Sequence, residues 1–255
     1  MLSNKISNNM ELDPLKQFVI QPIIKMSLFG IDLSFSNSSL FMTFAMIIMI
    51  ILGSLYKLRY QKYDGVTKIN RVQAASELLY EMVTKTIYGT CGEKGLKYIP
   101  EIFSLFIFLI LCNSLGMIPG GFTATSHIII TFAVALILFI FINIIGFAKH
   151  GLHYFSLFLP KDTPVFLAPL MIIIELFTYL SRPFSLALRL AANMTAGHIM
   201  LKVFAAFITL SGIVGILPFG MLMIFTAFEI FVALLQAYIF TILTCVYLND
   251  ALNMH

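Results

Sequence analysis

The chain has 255 residues, of which 60% are hydrophobic and 11% charged, and its mean hydropathy is +0.96; a soluble domain is about half apolar and a quarter charged. That composition excludes an ordinary soluble globular protein and points to an integral membrane protein. The net charge of +4 is spread over a few polar segments rather than gathered on one basic face, so no nucleic-acid partner is expected.

Residues 1 to about 37 are mixed and polar. The apolar patch FVIQPIIKMSLFGI is interrupted by Lys25 and lacks a basic region just before it, so it does not read as a cleavable signal. The segment closes on Ser36, Asn37, Ser38 and Ser39, residue types that cap a helix. A first membrane span is predicted over 40–56. Eight of the sixteen basic residues then fall between Lys57 and Lys97, which by the positive-inside rule puts this segment on the cytoplasmic or matrix side and the N-terminus opposite. Within the basic loop 57–97, INRVQAASELLYEMVTKTIY sets Val72, Leu78, Leu79, Met82, Val83 and Ile87 roughly on one face, away from Arg71, Glu77, Glu81 and Lys85. An amphipathic helix lying along the surface follows.

Between Glu101 and Lys149 there is no Asp, Glu, Lys or Arg, and between Lys202 and Asp250 there is only Glu229. Each gap holds two spans of about 20 residues or one long tilted helix. Barrel strands alternate apolar and polar residues; FSLFIFLILC and IIITFAVALILFIFINIIGF do not. The fold class is therefore all-α. Spans are predicted at about 101–118 and 127–148, joined by a turn at Pro119, Gly120 and Gly121. After the loop HGLHYFSLFLPKDTP, one helix covers about 165–180. A second is opened by Pro183 with Ser181 as its cap, and the stretch from Gly212 to Pro218 breaks the chain before a third at about 219–248. Cys91, Cys112 and Cys245 are far apart and lack CxxC spacing, so they read as apolar filler rather than metal ligands. With no internal repeat and no separate soluble region, residues 1–255 read as one membrane domain of about five embedded helices plus the surface helix.

An ionisable side chain at bilayer depth costs at least a few kcal/mol, so such residues face a protein interior or a wet cavity. The candidates are Glu175, Arg182, Arg189, His198, Lys202 and Glu229. Lys202 has a long stem that snorkels, and Arg182 precedes Pro183 at the expected helix boundary; both have an anchoring reading beside a functional one. Arg189 is flanked by Leu186, Ala187, Leu188, Leu190, Ala191 and Ala192, none of which offers a counter-charge. A guanidinium stays protonated, so Arg189 cannot relay protons by titrating. It can hold a fixed positive potential, or pair structurally with Glu175 or Glu229.

At 100° per residue, Asn193 falls on the Arg189 face one turn on, whereas His198, nine residues on, lies nearly opposite. Glu229 and Gln236, seven apart, share a face. A Glu and a His on facing helices suit a proton path, though a satisfied interior pair fits the spacing as well. The small residues Ser185, Ala187, Ala191, Ala192, Ala196 and Gly197 permit close approach by another helix, from this chain or a partner. Two classes stay open at this level: an ion-conducting subunit working against a partner's carboxylate, or a secondary transporter or intramembrane enzyme in which Arg189 binds an anionic substrate. The paired broken helices of transporters and the HExxH motif of membrane proteases are both absent from the sequence.

SLALRLAANMTAGH, followed by FEIFVALLQAYIFTILTCVYLNDALNMH, resembles subunit a of the F-type ATP synthase, with motifs that fit mitochondrial and alphaproteobacterial members alike. The resemblance extends to PLKQFVI, SFSNSSLFM, CNSLGMIPGGFTATSH and HGLHYFSLFLPKDTPVFLAPL, in the right order along nearly the whole chain. It implies a non-catalytic, proton-conducting subunit of the F0 sector without cofactors. Its partners would be the c-ring subunits, the peripheral-stalk subunit b, other ATP synthase subunits and the bilayer of a mitochondrial or bacterial inner membrane. It further implies that the last two long helices tilt strongly and that two offset half-channels reach the c-ring from opposite sides. Arg189 matches the arginine that faces the ring carboxylate and stops protons short-circuiting, and Asn193 and Gln236 match polar residues beside it. His198 and Glu229 match the pair lining the periplasmic or intermembrane half-channel, and Glu175 an acidic residue of the opposite one. One departure stands out: Gly116 occupies a turn position where many bacterial members carry an acid.

Overall fold

The computed structural model describes residues 19–61 (less 26, 29, 30 and 33), 71–118, 121–158, 166–211 and 215–253. The first 18 residues, Lys62 and Lys68 of the basic loop, the Pro119-Gly120 part of the predicted turn, the PKDTP loop and residues 212–214 lie outside that set. Two short antiparallel pairs precede the helices: β1 (Pro22–Ile24) with β4 (Phe35–Ser36), and β2 (Ser27–Leu28) with β3 (Ile31–Asp32). Among the described residues six α-helices follow: α1 (Asn37–Gln61), α2 (Arg71–Cys91), α3 (Ile99–Gly116), α4 (Ile128–His150), α5 (Ala168–Ser211) and α6 (Ile216–Leu252). Among the described residues five stretches are long and apolar enough to cross a membrane, at Asn37–Leu55, Ala74–Gly116, Ile128–Ser156, Ala168–Ile208 and Ile216–Leu252. The chain is an all-α integral membrane protein.

The start of α1 is set by the predicted polar cap. Ser39 N–H donates to Ser36 Oγ at 3.5 Å, and Ser38 N–H to Asn37 Oδ1 at 3.0 Å, which satisfies amide groups that the first turn leaves without partners. Asn37 also accepts from Gln21 N–H at 3.2 Å, tying the hairpin to the helix. Ile47, Ile50 and Ile51 of α1 are exposed, as lipid-facing side chains are.

The amphipathic helix is α2, but its buried stripe is narrower than predicted. Val83 and Ile87 are fully buried with Leu79 and Met82 packed beside them, whereas Leu78 is 66% exposed. Leu78 sits about 140° from Val83 around the helix, too far to share its face. The stripe packs against α6 and α3, which ties α2 into the bundle. Gly92, at φ 65°, ends α2 in the left-handed conformation, and a 3-10 segment, Gly92–Tyr98, leads into α3 with Pro100 in its first turn.

The largest departure from the sequence expectation is α5. The sequence predicts a break near Ser181 and Pro183, yet the helix is continuous over 44 residues with Pro183 inside it. Ser181 does not cap a new helix: its hydroxyl donates back to Thr178 O at 2.7 Å. Proline removes one intrahelical hydrogen bond, and contacts on both sides of Pro183 hold the helix through that loss. At 1.5 Å per residue α5 is about 66 Å long and α6 about 55 Å, some twice the hydrocarbon thickness. These two pack together and against α3 and α4 around a core that includes Phe106, Leu109, Leu190, Met194, Ala237 and Phe240.

Candidate functional site

Two of the predicted site residues meet at one level of the α5–α6 contact. Asn193 Nδ2 donates to Gln236 Oε1 at 2.9 Å. Gln236 is 1% exposed, while Arg189, one turn before Asn193, lies on the outer surface. Among the described residues Arg189 pairs with no carboxylate. Glu229 faces His198 instead, and Glu175 lies about 21 Å away along the same helix. The structural pairing left open by the sequence is therefore not formed. The small residues of α5 divide by face: Ala187 and Ala191 are buried in the core, whereas Ser185, Ala192 and Ala196 are exposed and share the Arg189 side. The cation thus stands on an outward strip of short side chains, a surface that admits a helix close to the guanidinium.

On the opposite side of α5, His198 is 7% exposed and Glu229 is 5% exposed. His198 Nδ1 stands 3.5 Å from Glu229 Oε1, and its Nε2 2.7 Å from Thr123 Oγ1. Thr123 precedes a short 3-10 turn, Ala124–Ser126, that α5 also holds through Thr195 Oγ1 donating to Ser126 O at 3.0 Å. Two glycines allow this convergence. A Cβ on Gly197 would lie 2.8 Å from Glu229 Oε1, and one on Gly116 would collide with the Thr123 side chain. Thr125 Oγ1, Ser126 Oγ, His127 Nε2 and both carboxyl oxygens of Glu229 are buried without a hydrogen bond among the described residues. Lys202, one turn beyond His198, is half-buried.

Arg182 belongs to a third cluster, which the sequence did not disclose. Its Nη1 donates to Asp250 Oδ2 at 2.9 Å, and the guanidinium lies 5.1 Å from the Tyr179 ring centroid and 4.8 Å from that of Tyr247. Tyr179 OH donates to Asn143 Oδ1 at 2.6 Å and meets Tyr154 OH at 3.0 Å. Arg182 therefore ties α5 to α6 rather than marking a helix boundary. Thr123, Tyr154, Asn143 and Asp250 carry no periodic signal that would single them out. The nearest hint is that Asp250 closes a run whose one charged residue is Glu229. Glu175 is half-exposed and joins none of these groups.

Among the described residues no group of His, Cys, Asp or Glu is placed to hold a metal ion, and the three cysteines are buried thiols. Comparison with known protein families finds that the ATP synthase A chain family matches residues 39–249. The match covers most of the sequence and every helix of the bundle. The chain belongs to that family: it is a non-catalytic, proton-translocating subunit of the F0 sector, a multi-pass membrane protein that works with other ATP synthase subunits.

Proposed function

We propose that this member of the ATP synthase A chain family conducts protons through two offset half-channels, one reaching the rotor from each side of the membrane, and that Arg189 separates them. The observation that carries the reading is the exposed Arg189, which pairs with no carboxylate of the described residues and stands on a strip of short side chains. A permanent cation at bilayer depth needs a nearby anion. A ring of c subunits, each bringing a carboxylate past Arg189, supplies one from outside the chain. The fixed charge keeps that carboxylate ionised as it passes, so a proton cannot cross directly from one half-channel to the other.

Asn193 and Gln236 hold the α5–α6 contact beside Arg189 and offer polar groups to the passing carboxylate. His198 and Glu229 line the intake half-channel on the periplasmic or intermembrane side. Glu175, on the far side of Arg189 along α5, lines the opposite one. The lengths of α5 and α6 favour strong tilt, with the proton path carried by residues 165–248 of a single membrane domain. The membrane is an energy-coupling one, mitochondrial inner or bacterial inner, and subunit b of the peripheral stalk holds the chain against rotation.

Cross-linking tests the arrangement. The native cysteines are buried, so a cysteine placed by Ala192→Cys on the exposed strip should cross-link to a ring helix carrying its own cysteine. Ala187→Cys, in the core, should not. Equal yields from both, or from neither, would reject Arg189's face as the rotor face.

A further inference from the structure

We propose that the groove between α3 and α4 holds one acyl chain of a phospholipid of the ethanolamine type, with the lipid's phosphate on Lys94 and Lys149 and its ammonium on Glu101. The two helices carry a run, Ile102 to Ala148, that is free of Asp, Glu, Lys and Arg. Lys94 and Glu101 before that run and Lys149 after it therefore return to one face of the membrane. Both helices pack on α6, and between them lies a groove of about 200 Å³. A dry apolar cavity of about 150 Å³ is enough to take up benzene, so this groove has room for a stretch of hydrocarbon.

Its walls include Ile102 and Leu105 of α3 and Ile137 and Phe141 of α4, over Leu248 of α6. Ile137 is 67% exposed, so the groove opens toward lipid. From Ile137 to Lys149 the chain rises about 18 Å along α4, at about 1.5 Å per residue. One leaflet is half of a hydrocarbon core about 30 Å thick, so the groove runs the depth of a single acyl chain.

The mouth carries the charges. Lys149 Nζ donates to Leu252 O and Lys94 Nζ to Asn253 Oδ1, each at 2.9 Å. These bonds hold two ammonium groups at the end of α6, one turn past Leu248. An ammonium has three N–H donors, so each keeps others for phosphate oxygens, and such charge-assisted bonds are stronger than neutral ones. Glu101 lines the groove itself and forms no ion pair among the described residues. A head group with an ammonium beside its phosphate gives this carboxylate a counter-ion, whereas a head of negative groups alone sets like charges together. Lys97 and Glu93, exposed on the same 3-10 segment, add one charge of each sign. Bulk lipid tails are as apolar as leucine, so the acyl chain gains little by entering the groove and the preference rests on the head group. Capping of α6 by the two lysines, taken alone, predicts no preference among lipids.

The test uses assembled ATP synthase in vesicles of phosphatidylcholine with a trace of phosphatidylethanolamine that carries a photoactivatable group near the end of one acyl chain. Labelled peptides are mapped by mass spectrometry, and labelling around Leu105 and Ile137 is expressed as a ratio to that around the exposed Ile50 of α1. Unlabelled phosphatidylethanolamine is expected to lower the ratio several-fold, and phosphatidylglycerol to leave it unchanged. The double variant Lys94→Gln, Lys149→Gln and the single variant Glu101→Gln are each expected to lower it several-fold. Ile137→Trp, which fills the groove and leaves the mouth intact, should remove the label around Leu105. A ratio that neither competitor nor charge variant moves would mean bulk lipid only and overturn the proposal. An equal fall with phosphatidylglycerol would reject the ethanolamine head, and a silent groove beside a labelled α1 would show that another subunit covers it; either result overturns the proposal as well. The competition is read on the wild-type complex, so it decides even where a charge variant assembles poorly.

Discussion

Asn193 and Gln236 are joined by a 2.9 Å hydrogen bond between α5 and α6, and Arg189 projects from the protein one turn away. The bond fixes the register of the two longest helices at the level of the fixed charge. Arg189→Ala is expected to abolish proton-coupled ATP synthesis, because the passing carboxylate then loses the charge that keeps it ionised. Assembly should be nearly unaffected, since Arg189 is exposed on the outer side of α5. ATP synthesis and passive proton leak are measured on assembled complex; normal coupled synthesis would refute the role.

Glu229 is buried and faces His198 across the helix contact. Glu229→Gln keeps the shape and removes the exchangeable carboxyl proton. Proton flux is expected to fall by about a hundredfold, the low end of what a positioned acid–base group contributes, and its pH dependence is expected to change. An unaltered rate against pH would remove Glu229 from the path.

Gly197 matters for what it lacks. A Cβ there would stand 2.8 Å from Glu229 Oε1, so Gly197→Ala must push the carboxyl away from His198 or part the helices. Flux is expected to drop several-fold with assembly retained. Gly220, whose added Cβ would meet nothing within 4 Å, is the control; if Gly220→Ala slows flux as much as Gly197→Ala does, the close approach is not the cause.

Arg182 and Asp250 form a partly buried ion pair between two tyrosine rings. Removing either partner leaves a charge without its counter-ion, which costs more than removing both. Arg182→Ala and Asp250→Asn are each expected to lower the thermal stability of the complex. The double variant should recover part of the loss, with a coupling energy of about 1–3 kcal/mol. Strictly additive losses would show that the pair does not hold α5 to α6.

Much of the architecture is legible in the sequence because hydrophobic surface and charge act locally. The uncharged runs establish the membrane class, the serines and Asn37 mark the start of α1, and the helical period puts Arg189 and His198 on different faces of one helix. Glu229 and Gln236 read as one face for the same reason, and both are buried. The period also overreaches: it includes Leu78 in a stripe that this residue does not join, since a loosely drawn face takes in residues up to about 140° apart.

What sequence alone determined was therefore the medium, the helical class and the angular position of each polar side chain, all properties of spacing along a single chain segment. Tertiary structure decided which of those side chains meet. Arg182 finds Asp250 68 residues away, and Thr123 finds His198 75 residues away; no local propensity encodes a contact at that separation. Tertiary contacts also kept α5 whole across Pro183, because packing on both sides outweighs the one hydrogen bond that proline removes. Gly116 illustrates the division most plainly. In the sequence it is one residue of a turn, and in the fold it is the space and the carbonyl that bring Thr123 onto the imidazole.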